Sequence, residues 1–159
     1  MNFCETDEAK ELADLARDIW MGYFPSIIGS DATRYILDMI QSEDAIKQQM
    51  NDGYIYFFIT ENGKRAGYLC IRPDGDSLFL SKIYLSDGFR GRGLGSKTLD
   101  EVLRRGKELR AKRVFLRVNK QNSPAIGIYK HKGFIIVGEE KQDIGNGFFM
   151  DDYTMEYRF

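Results

Sequence analysis

The apolar positions fall into two textures that meet at Gly53. Before it, Leu12, Leu15, Ala16 and Ile19 recur at three- and four-residue spacing, the stripe of an amphipathic helix. The first fifty residues read as helical. Thr6 suits the N-cap of the first helix, and Gly22 and Pro25 stop it. A second helix is predicted over Asp31 to Gln41, with Tyr35, Ile36, Met39 and Ile40 apolar. A third is predicted over Glu43 to Asn51, capped by Ser42.

After Gly53 the period changes. Tyr54 to Thr60 is aromatic and β-branched, as a strand should be, and Glu61-Asn62-Gly63-Lys64 carries the Asn-Gly hairpin signal. Arg65 to Arg72 returns as a second strand, Pro73-Asp74-Gly75-Asp76 is a turn, and Ser77 to Leu85 is a third strand. In that third strand Leu78, Leu80 and Tyr84 take one face and Phe79, Ile83 and Leu85 the other, which marks a central strand covered on both sides. A long helix to about Leu109 follows a glycine-rich turn, its stripe Leu99, Val102, Leu103, Gly106 and Leu109. Arg113 to Asn119 is a fourth strand. Ser123, as N-cap, and Pro124 open a short helix that Gly133 ends. Phe134 to Gln142 and Phe148 to Arg158 form a last hairpin around Gly145-Asn146-Gly147. Helices followed by three strands, helix, strand, helix and two strands predict one α/β domain over residues 1–159 with a mixed sheet.

Composition narrows the chemistry. Lys plus Arg is 23 against 24 Asp plus Glu, a net charge of -1 that suits no polyanion, so nucleic acid is not expected as partner. No apolar run approaches the ~20 residues of a membrane helix. The acidic start, Met1 to Lys10, is no signal peptide. Cys4 and Cys70 form no CxxC and suit a reducing cytosol as buried or inert thiols. The single histidine, His131, sits between Lys130 and Lys132 and reads as a solvated helix residue. It rules out a two-histidine metal site, and no metal is expected.

The turn after the central strand holds the candidate site. Strand, glycine-rich turn and helix make an anion cradle: the first helical N–H groups lack internal partners and the helix dipole adds positive charge. Arg90, Arg92 and Lys97 add more. The dinucleotide fingerprint fails because Ser96 stands where its third glycine belongs, and the nucleoside triphosphate loop is missed because Ser96 replaces the glycine before Lys97-Thr98. A phosphate-loop nucleotide binder remains the nearest rival. Arg90-Gly91-Arg92-Gly93-Leu94-Gly95 fits [QR]-x-x-G-x-[GA] in full. One strand further on, Asn122, Ala125, Tyr129, Gly133 and Phe134 fit N-x-x-A-x-x-x-Y-x-x-x-G-F. With these two motifs in this order, the stretch from Leu78 to Phe134 resembles the GNAT family of N-acetyltransferases.

The resemblance implies a splayed, mixed central sheet flanked by helices, and a cytoplasmic enzyme that moves acetyl from acetyl-coenzyme A to an amine by direct attack. It implies a cleft opened between the third and fourth strands, where the backbone of Ile83, Tyr84 and Leu85 pairs with the pantetheine arm and polarises the thioester carbonyl. Arg90, Gly91, Arg92, Gly93, Leu94, Gly95 and Ser96 would hold the pyrophosphate, Asn122 the arm, and Tyr129 would protonate the leaving thiolate. A tyrosine, with an ordinary pKa near ~10, is protonated at neutral pH and can serve as the acid. Many relatives carry a basic glutamate on the central strand. Phe79 to Tyr84 contains none, which leaves a water relay, Asp151 or Asp152 as the base. Acceptor walls are expected from Trp20, Tyr23, Phe24 and Tyr35, with Asp151 beyond them. The segment from Ile19-Trp20 to Gln41 looks loosely like bacterial small-molecule acetyltransferases, polyamine acetyltransferases among them. The acceptor is therefore expected to be a small-molecule amine, and a homodimer agrees with the family's habit. A non-catalytic acyl-CoA-binding module would keep the same loop without needing the Tyr129 hydroxyl.

Overall fold

A computed structural model describes residues 1–159. The chain divides into two compact units: Met1–Arg72 with Lys82–Gly95, and Pro73–Ser81 with Ser96–Phe159.

The first unit opens with a strand, β1 (Asn2–Thr6), that the sequence pattern did not announce. Helices α1 (Ala9–Tyr23), α2 (Pro25–Ile28), α3 (Ser30–Ile40) and α4 (Glu43–Asn51) follow. Strands β2 (Ile55–Glu61) and β3 (Lys64–Asp74) come next, and β4 (Ser77–Leu85) contributes its second half. β1, β2 and β3 pair antiparallel in succession. Thr6 belongs to β1; its hydroxyl accepts the Glu8 N–H at 3.0 Å, while α1 begins only at Ala9 with Glu8 in the capping position. Nor does Gly22 end α1, which runs on to Tyr23. Pro25 opens α2 instead of closing α1, since a proline fits the first turn of a helix. α4 follows its prediction: the Ser42 hydroxyl accepts the Ala45 N–H at 3.2 Å. Asn62 and Gly63 take φ of 53° and 76°, the left-handed pair of a tight hairpin turn. Pro73 lies inside β3, and the turn is narrowed to Gly75-Asp76.

The second unit holds the first half of β4, helix α5 (Leu94–Glu108) from Ser96 onward, β5 (Arg113–Asn119), α6 (Ser123–Lys132), β6 (Ile135–Gly145) and β7 (Phe148–Arg158). β4 runs parallel to β5, with Ser77 opposite Arg113 and Leu80 opposite Leu116. β7 pairs antiparallel with β5 on one side and with β6 on the other. The strand order is β1-β2-β3-β4-β5-β7-β6, with β4 as the strand both units share. Leu99, Val102 and Gly106 are buried on α5, Leu103 is half-buried, and Leu109 lies past the helix end and is exposed. Ser123 is the first helical residue of α6, not its cap; Asn122 holds that place, and Gly133 ends the helix at φ 106°. Cys70 is buried, Cys4 exposed, and His131 exposed as expected. No helix is long and apolar enough to cross a membrane.

Candidate active site

In the first unit the chain leaves β4 at Leu85, makes a 3₁₀ turn over Asp87–Phe89 and enters α5 at Leu94. Gly91 and Gly93 take φ of 72° and 76°. A side chain in that left-handed region costs roughly 1–2 kcal/mol, which is why glycine stands at both places. No heavy atom lies within 4 Å of where a Cβ would stand on either. The backbone there is bare, directly before the amino end of a fifteen-residue helix with no acidic residue in its first turn. That geometry fits a pyrophosphate. Gly95 instead lets the first turn of α5 rest on the end of β4, its Cβ position being 3.8 Å from Leu85 Cδ1.

The loop arginines also brace the loop. Arg90 Nε donates to the Leu85 carbonyl at 3.0 Å, Nη1 reaches Asp87 Oδ1 at 3.4 Å, and the guanidinium lies 4.6 Å from the Tyr23 ring centre. Arg92 Nη1 donates to the Gly88 carbonyl at 3.5 Å and lies over Phe89.

Ile83, Tyr84 and Leu85 are half-buried. The Tyr84 ring meets Trp20 at 5.2 Å, Tyr68 at 5.5 Å and Phe24 at 6.0 Å between centres. Trp20 is 5 % exposed, and its indole donates to the Tyr68 hydroxyl at 3.1 Å. Tyr68 in turn donates to Gln41 Oε1 at 3.0 Å. The structure therefore places Trp20 and Phe24 in the core beneath Tyr84, not on an open wall. Tyr23 and Tyr35 are half-buried. Burial pushes the Tyr23 hydroxyl up, and Arg90 pulls it back in part.

Two residues of this unit went unremarked in the sequence. A Cβ on Gly67 of β3 would stand 2.0 Å from the Tyr84 carbonyl oxygen and 3.0 Å from Leu85 Cα. Only a glycine lets β3 lie that close to the segment in question. Lys82 of β4 is the second. It is 6 % exposed, and its Nζ donates to Gln49 Oε1 at 2.7 Å, to the Ile40 carbonyl at 3.2 Å and to the Tyr56 hydroxyl. All three acceptors are uncharged, and burial lowers the ammonium to about 8. A lysine in a strand reads as an exposed edge residue, so nothing local betrays this one.

In the second unit β5 ends at Asn119, whose side-chain oxygen accepts the Gln121 N–H at 2.8 Å and whose carbonyl accepts the Asn122 N–H at 2.9 Å. This turn delivers Asn122, buried, to the mouth of α6. Tyr129 lies two turns along, half-buried, its ring 5.9 Å from Phe134. No residue of α6 is fully buried; of its apolar stripe Ala125 and Tyr129 are half-buried, Ile128 is exposed, and Tyr129 meets the buried Phe134.

The paired aspartates on β7 part company. Lys120 Nζ stands 3.0 Å from Asp151 and 3.2 Å from Glu139, so Asp151 is already matched with a cation. Asp152 stands opposite Asn119 on β5 and Glu140 on β6. Burial first, then the negative charges of Asp151 and Glu140, push its carboxyl up to about 6 against the pull of Arg117. A carboxylate tuned close to neutrality is suited to take up a proton and release it.

Comparison with known proteins places these features in a family. Residues 13–134 match the acetyltransferase (GNAT) family. An uncharacterized N-acetyltransferase of Mycobacterium bovis is 35 % identical over 95 residues, 59 % of this chain and 60 % of that protein. The ribosomal protein bS18-alanine N-acetyltransferase of Escherichia coli is 26 % identical over 93 residues, 58 % of this chain and 63 % of that one. The chain thus spans about three fifths of the length of the curated relatives it matches. Among solved structures, the PaiA N-acetyltransferase of Thermoplasma acidophilum in complex with coenzyme A covers the whole of both chains with a TM-score of 0.78 at 17 % identity, a likeness of fold.

Proposed function

Since the chain belongs to the acetyltransferase (GNAT) family, we propose that it transfers an acetyl group from acetyl-coenzyme A to a primary amine, by direct attack while both are bound. The observation that carries the reading is the bare, left-handed backbone at Gly91 and Gly93 at the head of α5, which fits a pyrophosphate. Backbone N–H groups from Gly91 to Ser96 would hold the phosphates, with Arg90 and Arg92 supplying charge from a loop they also brace. Acetyl-coenzyme A supplies the activated acetyl thioester. The Ile83–Leu85 backbone polarises the carbonyl it presents, and Asn122 steadies the pantetheine arm.

Two proton transfers remain. An alkylammonium with a pKa near ~10.4 must lose a proton before it can attack. Asp152 takes that proton: with its carboxyl pushed up to about 6, it is a base at neutral pH and a weak enough acid to recycle. Asp151 beside it is paired with Lys120. Tyr129 gives its hydroxyl proton to the departing thiolate. The acceptor is read as a small-molecule amine that passes Tyr23 and Tyr35, both half-buried and therefore within reach of solvent, above the Trp20 core.

Calorimetric titration with acetyl-coenzyme A, and separately with ATP plus magnesium, tests this reading. Binding of acetyl-coenzyme A alone supports it and justifies an amine screen followed by thiol release. Binding of ATP alone overturns it.

A further inference from the structure

The two loop arginines are held differently. Arg92 rests on Phe89 and on the Gly88 carbonyl, both within its own loop. Arg90 reaches across to a helix. Its guanidinium lies 4.6 Å from the ring centre of Tyr23, the last residue of α1. A cation over a tyrosine face is attracted by the ring's quadrupole, and more strongly where water is partly excluded. Here Tyr23 is half-buried, and only 29 % of the Arg90 side chain is exposed. Burial raises the Tyr23 hydroxyl and the charge of Arg90 opposes that rise, so ring and cation act on each other.

Tyr23 is a firm support. Its ring meets Phe24 edge-on at 5.0 Å, and Phe24, itself buried, lies 4.3 Å from Trp20. The Ser26 hydroxyl donates to the Tyr23 carbonyl at 3.1 Å and fastens the end of α1. The Arg90 guanidinium is thereby held on two sides, at Nε by the Leu85 carbonyl at 3.0 Å and on one face by the ring. A planar group held by an edge and a face has little freedom left to turn. Of its five N–H donors, Nε is taken. Nη1 reaches Asp87 Oδ1 at 3.4 Å, but the Asp87 side chain is 98 % exposed, and such a pair adds little in water. Nη2 makes no hydrogen bond within the protein. These donors stand on the residue directly before Gly91, the first left-handed glycine of the loop.

We propose, on the acetyl-coenzyme A reading of this loop, that Tyr23 is a positioning residue for the cofactor: its ring holds the Arg90 guanidinium in the orientation in which the Nη donors meet the pyrophosphate. A loose arginine gives up several side-chain rotations when it closes on a phosphate. One already held by an edge and a face gives up fewer, so affinity rises without any new contact to the ligand. Asp87, exposed and weakly paired, yields its place on Nη1 to the phosphate. Tyr23 also borders the proposed route of the amine, and titration with no amine present separates the two roles.

The experiment is calorimetric titration with acetyl-coenzyme A of the wild type, Tyr23→Leu, Tyr23→Phe, Arg90→Gln and the combined Tyr23→Leu with Arg90→Gln. Tyr23→Leu should weaken binding about three- to thirtyfold, the span of a cation–ring contact. Tyr23→Phe keeps the ring face and should bind as the wild type does. Arg90→Gln leaves the loop pattern satisfied, since glutamine fits it, but takes away the cation. In that background Tyr23→Leu should cost nothing further, because the two residues act as one unit. Wild-type affinity in Tyr23→Leu, or a Tyr23→Phe as weak as Tyr23→Leu, would overturn the proposal. So would a Tyr23→Leu loss that persists in full beside Arg90→Gln, the mark of a general disturbance of α1. A wild type that binds no acetyl-coenzyme A would instead overturn the acetyltransferase reading, and this role of Tyr23 with it.

Discussion

At the residue scale the proposed reaction divides its proton work between Tyr129 and Asp152, and the two should fail differently. Tyr129→Phe removes one oxygen from a half-buried ring and leaves its neighbour Phe134 in place. Turnover should fall by about 10²–10⁴-fold, the ordinary range for a lost general acid, with the dissociation constant for acetyl-coenzyme A nearly unchanged. Steady-state kinetics beside calorimetry separates the two quantities, and an unimpaired variant would end the acid assignment. Asp152→Asn keeps size and removes the base. In the wild type the rate should rise as pH climbs through about 6, because the carboxyl, raised by burial, must shed its proton before it can accept the substrate's. The variant should lose that rise along with most of its turnover. Asp151→Asn should keep the rise but move it to lower pH, since the charge of Asp151 helps to push the Asp152 carboxyl up.

At the element scale what matters is how closely backbones approach. β3 can lie against the Tyr84 carbonyl only because Gly67 has no side chain, since a Cβ would stand 2.0 Å from that oxygen. Gly67→Ala must push β4 away at the segment proposed to polarise the thioester. It should cost about 1–3 kcal/mol of stability, the usual range for overpacking, and more than tenfold in turnover, read by thermal melts and initial rates. Gly93→Val makes the contrast. Its Cβ meets nothing, so the fold should survive with about 1–2 kcal/mol of backbone strain while acetyl-coenzyme A binding is lost.

The same contrast explains what could be read from the chain beforehand. The pattern located α4, β4, β5 and β7 because capping at Ser42, β-branched runs and turn glycines are local signals. It located the glycine turn because spacing alone defines an anion cradle. It missed β1, whose Phe3 and Cys4 lie among polar neighbours and become a strand by pairing with Ile59 and Phe58. It set Trp20 on a wall because an aromatic side chain does not announce its depth; the partner that buries it, Tyr68, is 48 residues away. Gly67 and Lys82 escaped for the same reason: their roles depend on backbones and side chains far off in sequence.

At the scale of the whole molecule, the buried ammonium of Lys82 ties stability to pH. An ordinary lysine titrates at 10.5, and burial lowers this one to about 8. Between those values the unfolded chain holds a proton that the folded chain has released, so folding is favoured progressively as pH rises through the window. The burden of the buried charge is fully present below about 8, on the order of 3 kcal/mol by the size of the shift. Tyr56 and Tyr68 act in the opposite sense, because burial holds their protons on and stability falls once the unfolded tyrosines ionise above ~10. Melting temperature should therefore climb between pH 8 and 10 and then turn down. Lys82→Met removes the buried charge, while Gln49 Oε1 still accepts from the Tyr56 hydroxyl and the Ile40 carbonyl still accepts from Gln49 Nε2, so neither acceptor is left without a donor. Its stability at neutral pH should therefore match or exceed the wild type's. The discriminating quantity is the slope from pH 8 to 10, present in the wild type and absent in the variant. Equal slopes in the two proteins would trace the pH dependence to some other group and leave Lys82 as an uncharged tie between α3, α4 and β4.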